Sequence, residues 1–151
     1  MTEAAVGSVT GFIKDGLIQR ALDEGRSQEA ALRYAAGASG GLFTIFGAIA
    51  IAPSNENVLW VGTGEGDPRN STSFGNGVYR STDGGETWTH VGLKNTRSIG
   101  RILLDRADPN IAWIAAVGNL WAPSADRGVF KTTDGGKTWK KILFVNDNTG
   151  A

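Results

Sequence analysis

The sequence predicts a mainly β protein with two four-stranded antiparallel sheets, preceded by a helical segment. Two observations carry this prediction. An eight-residue segment occurs twice, STDGGETW from Ser81 and TTDGGKTW from Thr132, at an offset of 51 residues. Short apolar stretches flank both copies and alternate with Gly, Pro and Asn, which is the pattern of short strands separated by turns.

The individual strands follow from aligning the two copies. GAIAIAPSNENVLWVG, from Gly47, matches GRILLDRADPNIAWIA, from Gly100, at an offset of 53 residues. GVYRSTDGGETW, from Gly77, matches GVFKTTDGGKTW, from Gly128, at an offset of 51 residues. The predicted strands are 48–52, 58–62, 77–81 and 88–93 in the first copy, and 101–105, 111–115, 128–132 and 139–145 in the second. A repeat of about 50 residues built from short strands has the length of a propeller blade, so we expect two blades of an incomplete β-propeller.

The duplicated segment lies between the third and fourth strands, where the chain must reverse. Asp followed by two Gly supplies an acceptor for nearby backbone N–H groups and positions that tolerate positive φ. A buried indole of roughly 200 Å² then contributes about 5 kcal/mol before entropy is subtracted. We therefore expect a structural role for ten repeated residues: Ser81, Asp83, Gly85, Thr87, Trp88, Thr132, Asp134, Gly136, Thr138 and Trp139.

These segments resemble the Asp-box, or bacterial neuraminidase repeat, in the pattern Ser-x-Asp-x-Gly-x-Thr-Trp. Together with their flanking strands, residues 40–151 are similar to the bacterial Asp-box propellers grouped with the sortilin-type and xyloglucan-hydrolysing families. The resemblance implies a large propeller, usually secreted or periplasmic, whose Asp-boxes sit on the rim away from any active site. Because at least three stacked repeats are normally needed for stability, we expect a fragment, an internally deleted relative, or a subunit that self-associates to complete the propeller.

Three segments are predicted along the chain: a helical extension over 1–40, a first blade over 41–99 and a second over 100–151. Within the extension, TGFIKDGLIQRALDEG has helical periodicity and ends at Gly25, and residues 27–36 begin at a Ser27 N-cap. A strand over this second part stays open as an alternative, because Gly41-Leu42-Phe43-Thr44 parallels Gly77-Val78-Tyr79-Arg80 and so resembles the end of an earlier blade.

Composition excludes several classes of site. Lys plus Arg number 15 and Asp plus Glu number 15, so nothing favours nucleic acid as a partner. The chain has no cysteine, and His90 is its only histidine; we predict no metal and no cofactor. The apolar stretch 42–52 is shorter than the roughly 20 residues a membrane helix needs, so we predict a buried strand and no membrane span.

Candidate binding residues lie in the loops opposite the Asp-Gly-Gly turns. In an antiparallel meander, segments 63–76, 93–98, 117–127 and 146–150 lie at one end of the sheets, and such loops commonly carry binding residues. The ligand-binding candidates are Arg69, Asn70, Arg97, Trp121 and Arg127, with Trp121 as a stacking platform for a sugar. The weaker catalytic candidates are Glu65, Asp67 and Asp126.

Two functions are weighed for this surface. The first is a non-catalytic binding or structural module that presents long loops to carbohydrate or protein. The alternative is a glycoside hydrolase of the xyloglucanase-like class, or a fragment of one, which would need two carboxyl groups in a fixed pair. No spacing in the sequence fixes such a pair, so we favour the first. In a third interpretation, the charged candidates are solvated loop residues, and Trp121 packs against a neighbouring loop.

Overall fold

The computed structural model describes residues 46–66 and 72–151, which form two four-stranded antiparallel sheets. The first blade contains β1 (Phe46–Ala52), β2 (Asn55–Thr63), β3 (Val78–Ser81) and β4 (Thr89–Gly92). The second blade contains β5 (Ile99–Leu104), β6 (Ala112–Ala116), β7 (Gly128–Thr132) and β8 (Lys140–Leu143), and a short 3-10 helix, Lys94–Thr96, lies between the blades. Each strand within a blade pairs with the next along the chain. The predicted class, mainly β with two partial propeller blades, is confirmed.

The predicted helices over residues 10–25 and 27–36, and the strand-like residues 41–44, lie outside the described residues. Within the described part, no helix is long and apolar enough to span a bilayer.

The two blades share the same strand register. Val61 pairs with Tyr79 in the first blade, and Ile114 pairs with Phe130 at the equivalent place in the second. Most strand bounds differ from the prediction by one or two residues, and the largest difference is at β2, which begins at Asn55 rather than at residue 58. Ala52 pairs with Asn55, so Pro53 and Ser54 alone make the reversal, and the polar residues after them already belong to the strand.

From Val58 onward, strand β2 is buried on both of its faces, which explains the apolar sequence of Val58–Val61. Residues of one parity, among them Val58 and Trp60, join the core between the two blades. Residues of the other parity, Leu59 and Val61, form a second cluster with Tyr79. All of the side chains from Val58 to Val61 are at most 4% exposed.

The core between the blades is formed by facing strands of the two sheets. Ile102 and Leu104 of β5 and Ala112 and Ile114 of β6 point toward the first blade and pack in the same cluster as Trp60. The opposite side of β6 carries Trp113 and points away from the first blade. The two blades therefore meet through opposite faces of their equivalent strands: β2 through the face that carries Trp60, and β6 through the face opposite Trp113.

Candidate functional site

The two Asp-Gly-Gly turns have matching hydrogen bonds. In the first, Ser81 Oγ donates to Asp83 Oδ1 (2.7 Å) and accepts from Gly85 N (2.9 Å), while Thr87 donates to Asp83 through its N (2.9 Å) and its Oγ1. In the second, Thr132 Oγ1 donates to Asp134 Oδ1 (2.8 Å) and accepts from Gly136 N (3.0 Å). Thr138 N and Oγ1 donate to Asp134 at 2.9 and 2.6 Å. Each carboxylate thus closes a loop from the end of one strand to the start of the next.

Both turns need glycine for their backbone conformation, and their backbone also bonds to the neighbouring hairpin. Gly84 and Gly85 have φ of 73° and 92°, and Gly135 and Gly136 have 75° and 91°, a region that other residues rarely adopt. Gly84 N donates to Asn57 O (2.9 Å) and Gly135 N donates to Asn110 O (3.0 Å). The turns between strands one and two and between strands three and four are therefore joined at the same end of each sheet, which we call the turn face.

The hydrogen bonds keep both aspartates ionised. Donation from the Ser81 hydroxyl, with further bonds from the Thr87 hydroxyl and N–H, lowers the pKa of Asp83 from 3.8 to about 2. Donation from the Thr138 hydroxyl and N–H, and then from the Thr132 hydroxyl, lowers the pKa of Asp134 well below its ordinary value. A catalytic acid near neutral pH needs the opposite shift. These carboxylates are suited to accepting hydrogen bonds and not to donating a proton.

The tryptophans that end the two turns make different contacts. Trp139 Nε1 donates to Val91 O of the first blade (2.7 Å), and its ring meets Trp60 edge-on with centroids 6.2 Å apart. Trp88 Nε1 donates to Gly85 O within its own turn (3.1 Å), and Trp88 packs against Leu59, Val61 and Tyr79. The second tryptophan therefore fastens one blade to the other.

The opposite end of the sheets is a continuous surface, which we call the loop face. It comprises the described parts of the β2–β3 loop (64–77), the link 93–98, the β6–β7 loop (117–127) and the segment 144–151. Backbone bonds join neighbouring parts: Gly75 N to Arg97 O (2.6 Å), Val117 N to Ser98 O (2.9 Å) and Ser124 N to Asp147 O (2.8 Å). The predicted binding segments are thus adjacent in space.

Two of the predicted residues lie near the place where the β2–β3 loop touches the link. The Glu65 carboxylate accepts a bond from Ser73 N (3.1 Å), and Glu65 N donates to Ser73 O (3.1 Å). Arg97 is exposed and has a left-handed φ of 57°. Its guanidinium lies 4.9 Å from the ring centroid of Phe74, which is 48% exposed. Phe74 was not singled out from the sequence, although an aromatic residue in a loop rich in Gly, Ser and Asn is a usable signal.

Three further predicted residues share the β6–β7 loop. Arg127 is only 7% exposed, and its guanidinium donates to Val117 O (2.7 Å), Asn119 O and Ala122 O (3.2 Å). Trp121 lies inside the segment that these bonds enclose and is 63% exposed. The half-buried Asp126 donates through its N to Ser124 Oγ (3.3 Å). Arg127 thus holds the loop that displays Trp121, and its guanidinium points at the loop backbone.

Asp67, Arg69 and Asn70 lie outside the described residues. Within residues 46–66 and 72–151, no group of three or more His, Asp or Glu side chains is placed to hold a metal ion.

Comparison with known proteins shows similarity at the level of the fold. No protein-family model matches the chain, and no curated protein is significantly similar to it. Among solved structures, an ancestral GH74 enzyme matches with 25% identity and a TM-score of 0.53, over 68% of this chain and 13% of the enzyme. The chain therefore spans a small part of that protein.

Two further solved structures show weaker similarity. YCF48 from Cyanidioschyzon merolae has 22% identity and a TM-score of 0.43, over 67% of this chain and 24% of its own. A GH74 enzyme of Niastella koreensis has 26% identity and a TM-score of 0.44, over 65% of this chain and 14% of its own. The similarity to the ancestral enzyme supports a propeller-like fold for the two blades.

Proposed function

We propose that the loop face binds carbohydrate and that this chain acts as a non-catalytic binding module. The observation that carries the proposal is Trp121, a 63% exposed indole on a loop that the buried Arg127 holds in place. We further propose that the two Asp-Gly-Gly turns are Asp-boxes that fasten the blades at 41–99 and 100–151, and that they take no part in binding.

An exposed indole on a fixed loop suits a sugar ring. Tryptophan offers a large, flat apolar face together with a polar edge, and the C–H groups on one side of a pyranose present a matching apolar surface. Ordering a flexible loop on binding opposes affinity. The three carbonyls bound by Arg127 already fix the loop, so Trp121 loses less freedom when a ligand stacks on it.

Polar groups on the same face complement the indole. Arg97 is exposed and is positioned by its contact with Phe74, and a guanidinium has several donors for sugar hydroxyls. We include Arg69 and Asn70, which the sequence places between β2 and β3, as further proposed donors. A few well-placed polar groups around an aromatic platform are the usual composition of a small-ligand site.

The proposal is tested by titrating xyloglucan and β-glucan oligosaccharides into the wild-type protein and Trp121→Ala in a calorimeter. Loss of a central aromatic contact weakens binding by roughly tenfold or more. Leu103→Ala is the matched control, because Leu103 is also exposed (59%) but lies in β5, close to the turn face. We expect the control to bind like wild type. Equal affinities for wild type and Trp121→Ala, with both proteins folded, would contradict a stacking role.

A second candidate function is glycoside hydrolysis, favoured by the similarity to the ancestral GH74 enzyme. In this case Glu65, Asp67 or Asp126 would supply the acid and the base or nucleophile. The test is release of reducing sugar from the same oligosaccharides by wild type, Glu65→Gln, Asp67→Asn and Asp126→Asn. If wild type hydrolyses the oligosaccharides and one of these variants does not, the chain acts as an enzyme and the binding-module proposal is wrong.

A further inference from the structure

The link between the two blades holds Arg97 in a rare backbone conformation. Its φ is 57° and its ψ is −41°, and Ser98 N donates to Thr96 O across it (2.5 Å). This arrangement is close to the γ-turn with positive φ, which is rare and strained. Residues held in such conformations cluster at ligand-binding and active sites.

Neighbouring residues fix this strained turn from both sides. Gly75 N donates to Arg97 O (2.6 Å), and a Cβ added to Gly64 would lie 1.9 Å from the same oxygen. Thr96 is only 2% exposed, and its Oγ1 donates to Leu93 O (2.7 Å). The backbone that carries the Arg97 side chain is therefore set by its surroundings.

The residue after Arg97 also lowers the stability of the link. Ser98 is fully buried, and its Oγ makes no hydrogen bond within the described part of the structure. A buried donor without an acceptor is unfavourable. In the second copy Asn95-Thr96 recurs as Asn148-Thr149, and the residue that follows is Gly150 instead of an arginine. Stability alone would favour glycine at a position with positive φ, so the arginine is best explained by its side chain.

The Arg97 side chain makes the link a positively charged part of the loop face. Arg97 is exposed, and its guanidinium lies 4.9 Å from the Phe74 ring centroid. A ring face attracts a cation but carries no net charge to neutralise it. Segment 93–98 also contains the exposed Lys94 and has no acidic residue. Such a surface favours an anionic ligand, and the planar guanidinium matches a carboxylate with two parallel bonds.

The turn at Arg97 is connected to the loop that displays Trp121. Ser98 O accepts a bond from Val117 N (2.9 Å). Val117 O in turn accepts a bond from Arg127 Nη1 (2.7 Å), and Arg127 holds the segment around Trp121. Two hydrogen bonds therefore separate the strained turn from the fixed loop, so one extended ligand on the loop face can meet both side chains.

We propose that Arg97 binds carboxylate and that the carbohydrate recognised by the loop face is an acidic oligosaccharide built from uronate units. This inference rests on the proposed function, because it assigns a charge to the ligand that stacks on Trp121. The guanidinium donates two N–H bonds to one uronate carboxylate while a sugar ring of the same chain stacks on the indole. Since the strained turn fixes the direction of the Arg97 side chain beforehand, less freedom is lost on binding.

The test titrates oligogalacturonate and its fully methyl-esterified form into four proteins in a calorimeter: wild type, Arg97→Gly, Lys94→Gln and Trp121→Ala. The ester keeps the sugar rings and removes their charge. We expect wild type to bind the acid at least about tenfold more tightly than the ester. Arg97→Gly should bind both forms with the affinity of wild type for the ester. It should also melt at a higher temperature than wild type, because glycine adopts positive φ without strain.

The remaining two variants separate this inference from the proposed function. Lys94→Gln removes one charge from the same link and should keep the preference for the acid. Trp121→Ala should bind both forms more weakly.

Three results would overturn the role of Arg97: equal affinity of wild type for acid and ester, an unchanged preference in Arg97→Gly, or equal loss of preference in Lys94→Gln. If Trp121→Ala still weakens both forms in those cases, carbohydrate binding stands without a carboxylate subsite. A wild-type protein that binds neither form nor the neutral oligosaccharides would reject both proposals.

Discussion

At the scale of single residues, the two aspartates of the turns act as ionised acceptors. Asp83 and Asp134 each receive two bonds from the threonine four positions later and one from the hydroxyl two positions earlier. Their lowered pKa values follow from these bonds. Folding is therefore coupled to pH through residues far from the loop face.

Acid should destabilise the fold through these two groups. A pKa lower in the folded than in the unfolded state adds stability above the unfolded value, and this stability is lost as pH falls through the folded value. For Asp83 the window runs from 3.8 down to about 2. We expect the double variant, Asp83→Asn with Asp134→Asn, to melt roughly 5–10 °C below wild type at about pH 6. Between about pH 4 and pH 2 its Tm, measured by circular dichroism, should fall less steeply than that of wild type. Glu56→Gln, which lies outside the two turns, is the control, and its Tm should fall with pH as it does in wild type. A double variant whose Tm also falls as steeply as that of wild type would contradict this assignment.

Trp139 should contribute to stability through its bond to the first blade. Trp139→Phe keeps most of the ring but removes the donor to Val91 O, leaving that carbonyl without this partner. We expect the free energy of unfolding in urea to fall by about 1–2 kcal/mol. Trp113→Phe, on the side of β6 that points away from the first blade, is the matched control and should change the free energy of unfolding by less than half as much. Equal losses in the two variants would argue against a special role for the bond between the blades.

At the scale of elements, the strands were predictable because the sequence contains two copies of each. Alignment located all eight, and misplaced the start of β2 because Pro53-Ser54 makes a tighter reversal than the polar segment suggested.

The loop face was predicted from the antiparallel order alone. The role of Arg127 was not, since its bonds reach backbone carbonyls five to ten residues away. The hydrogen bond from Arg80 to Asn110 of the second blade was also missed, although both copies place a basic residue there (Arg80, Lys131).

The junction between β2 and β5 should tolerate no added methyl group. A Cβ on Gly62 would lie 2.3 Å from Ile99 Cγ2, and Ile99 is fully buried. We expect Gly62→Ala to lower the free energy of unfolding by about 1–3 kcal/mol. Ala115 occupies the equivalent place in the second blade, so Ala115→Gly is the control and should cost about 1 kcal/mol or less. Urea denaturation of both variants checks this; a Gly62→Ala protein as stable as wild type would mean that the two blades pack differently.

At the scale of the whole molecule, the two ends of the paired sheets have different roles. The turn face carries the duplicated residues and holds the hairpins and blades together. The loop face carries residues that differ between the copies, such as Phe74 and Trp121, and is where we place binding. Because the two faces lie at opposite ends of the strands, a change at one should leave the other property intact.

The most direct test of this separation is one set of calorimetric titrations with the oligosaccharide that binds wild type most tightly, using Trp121→Ala and Asp134→Ala. We expect Asp134→Ala to melt at a lower temperature than wild type, and to keep a Kd within about twofold of the wild-type value at temperatures below its Tm. Trp121→Ala should keep its Tm and lose roughly tenfold or more in affinity. An Asp134→Ala protein that melts like wild type but no longer binds would contradict the account.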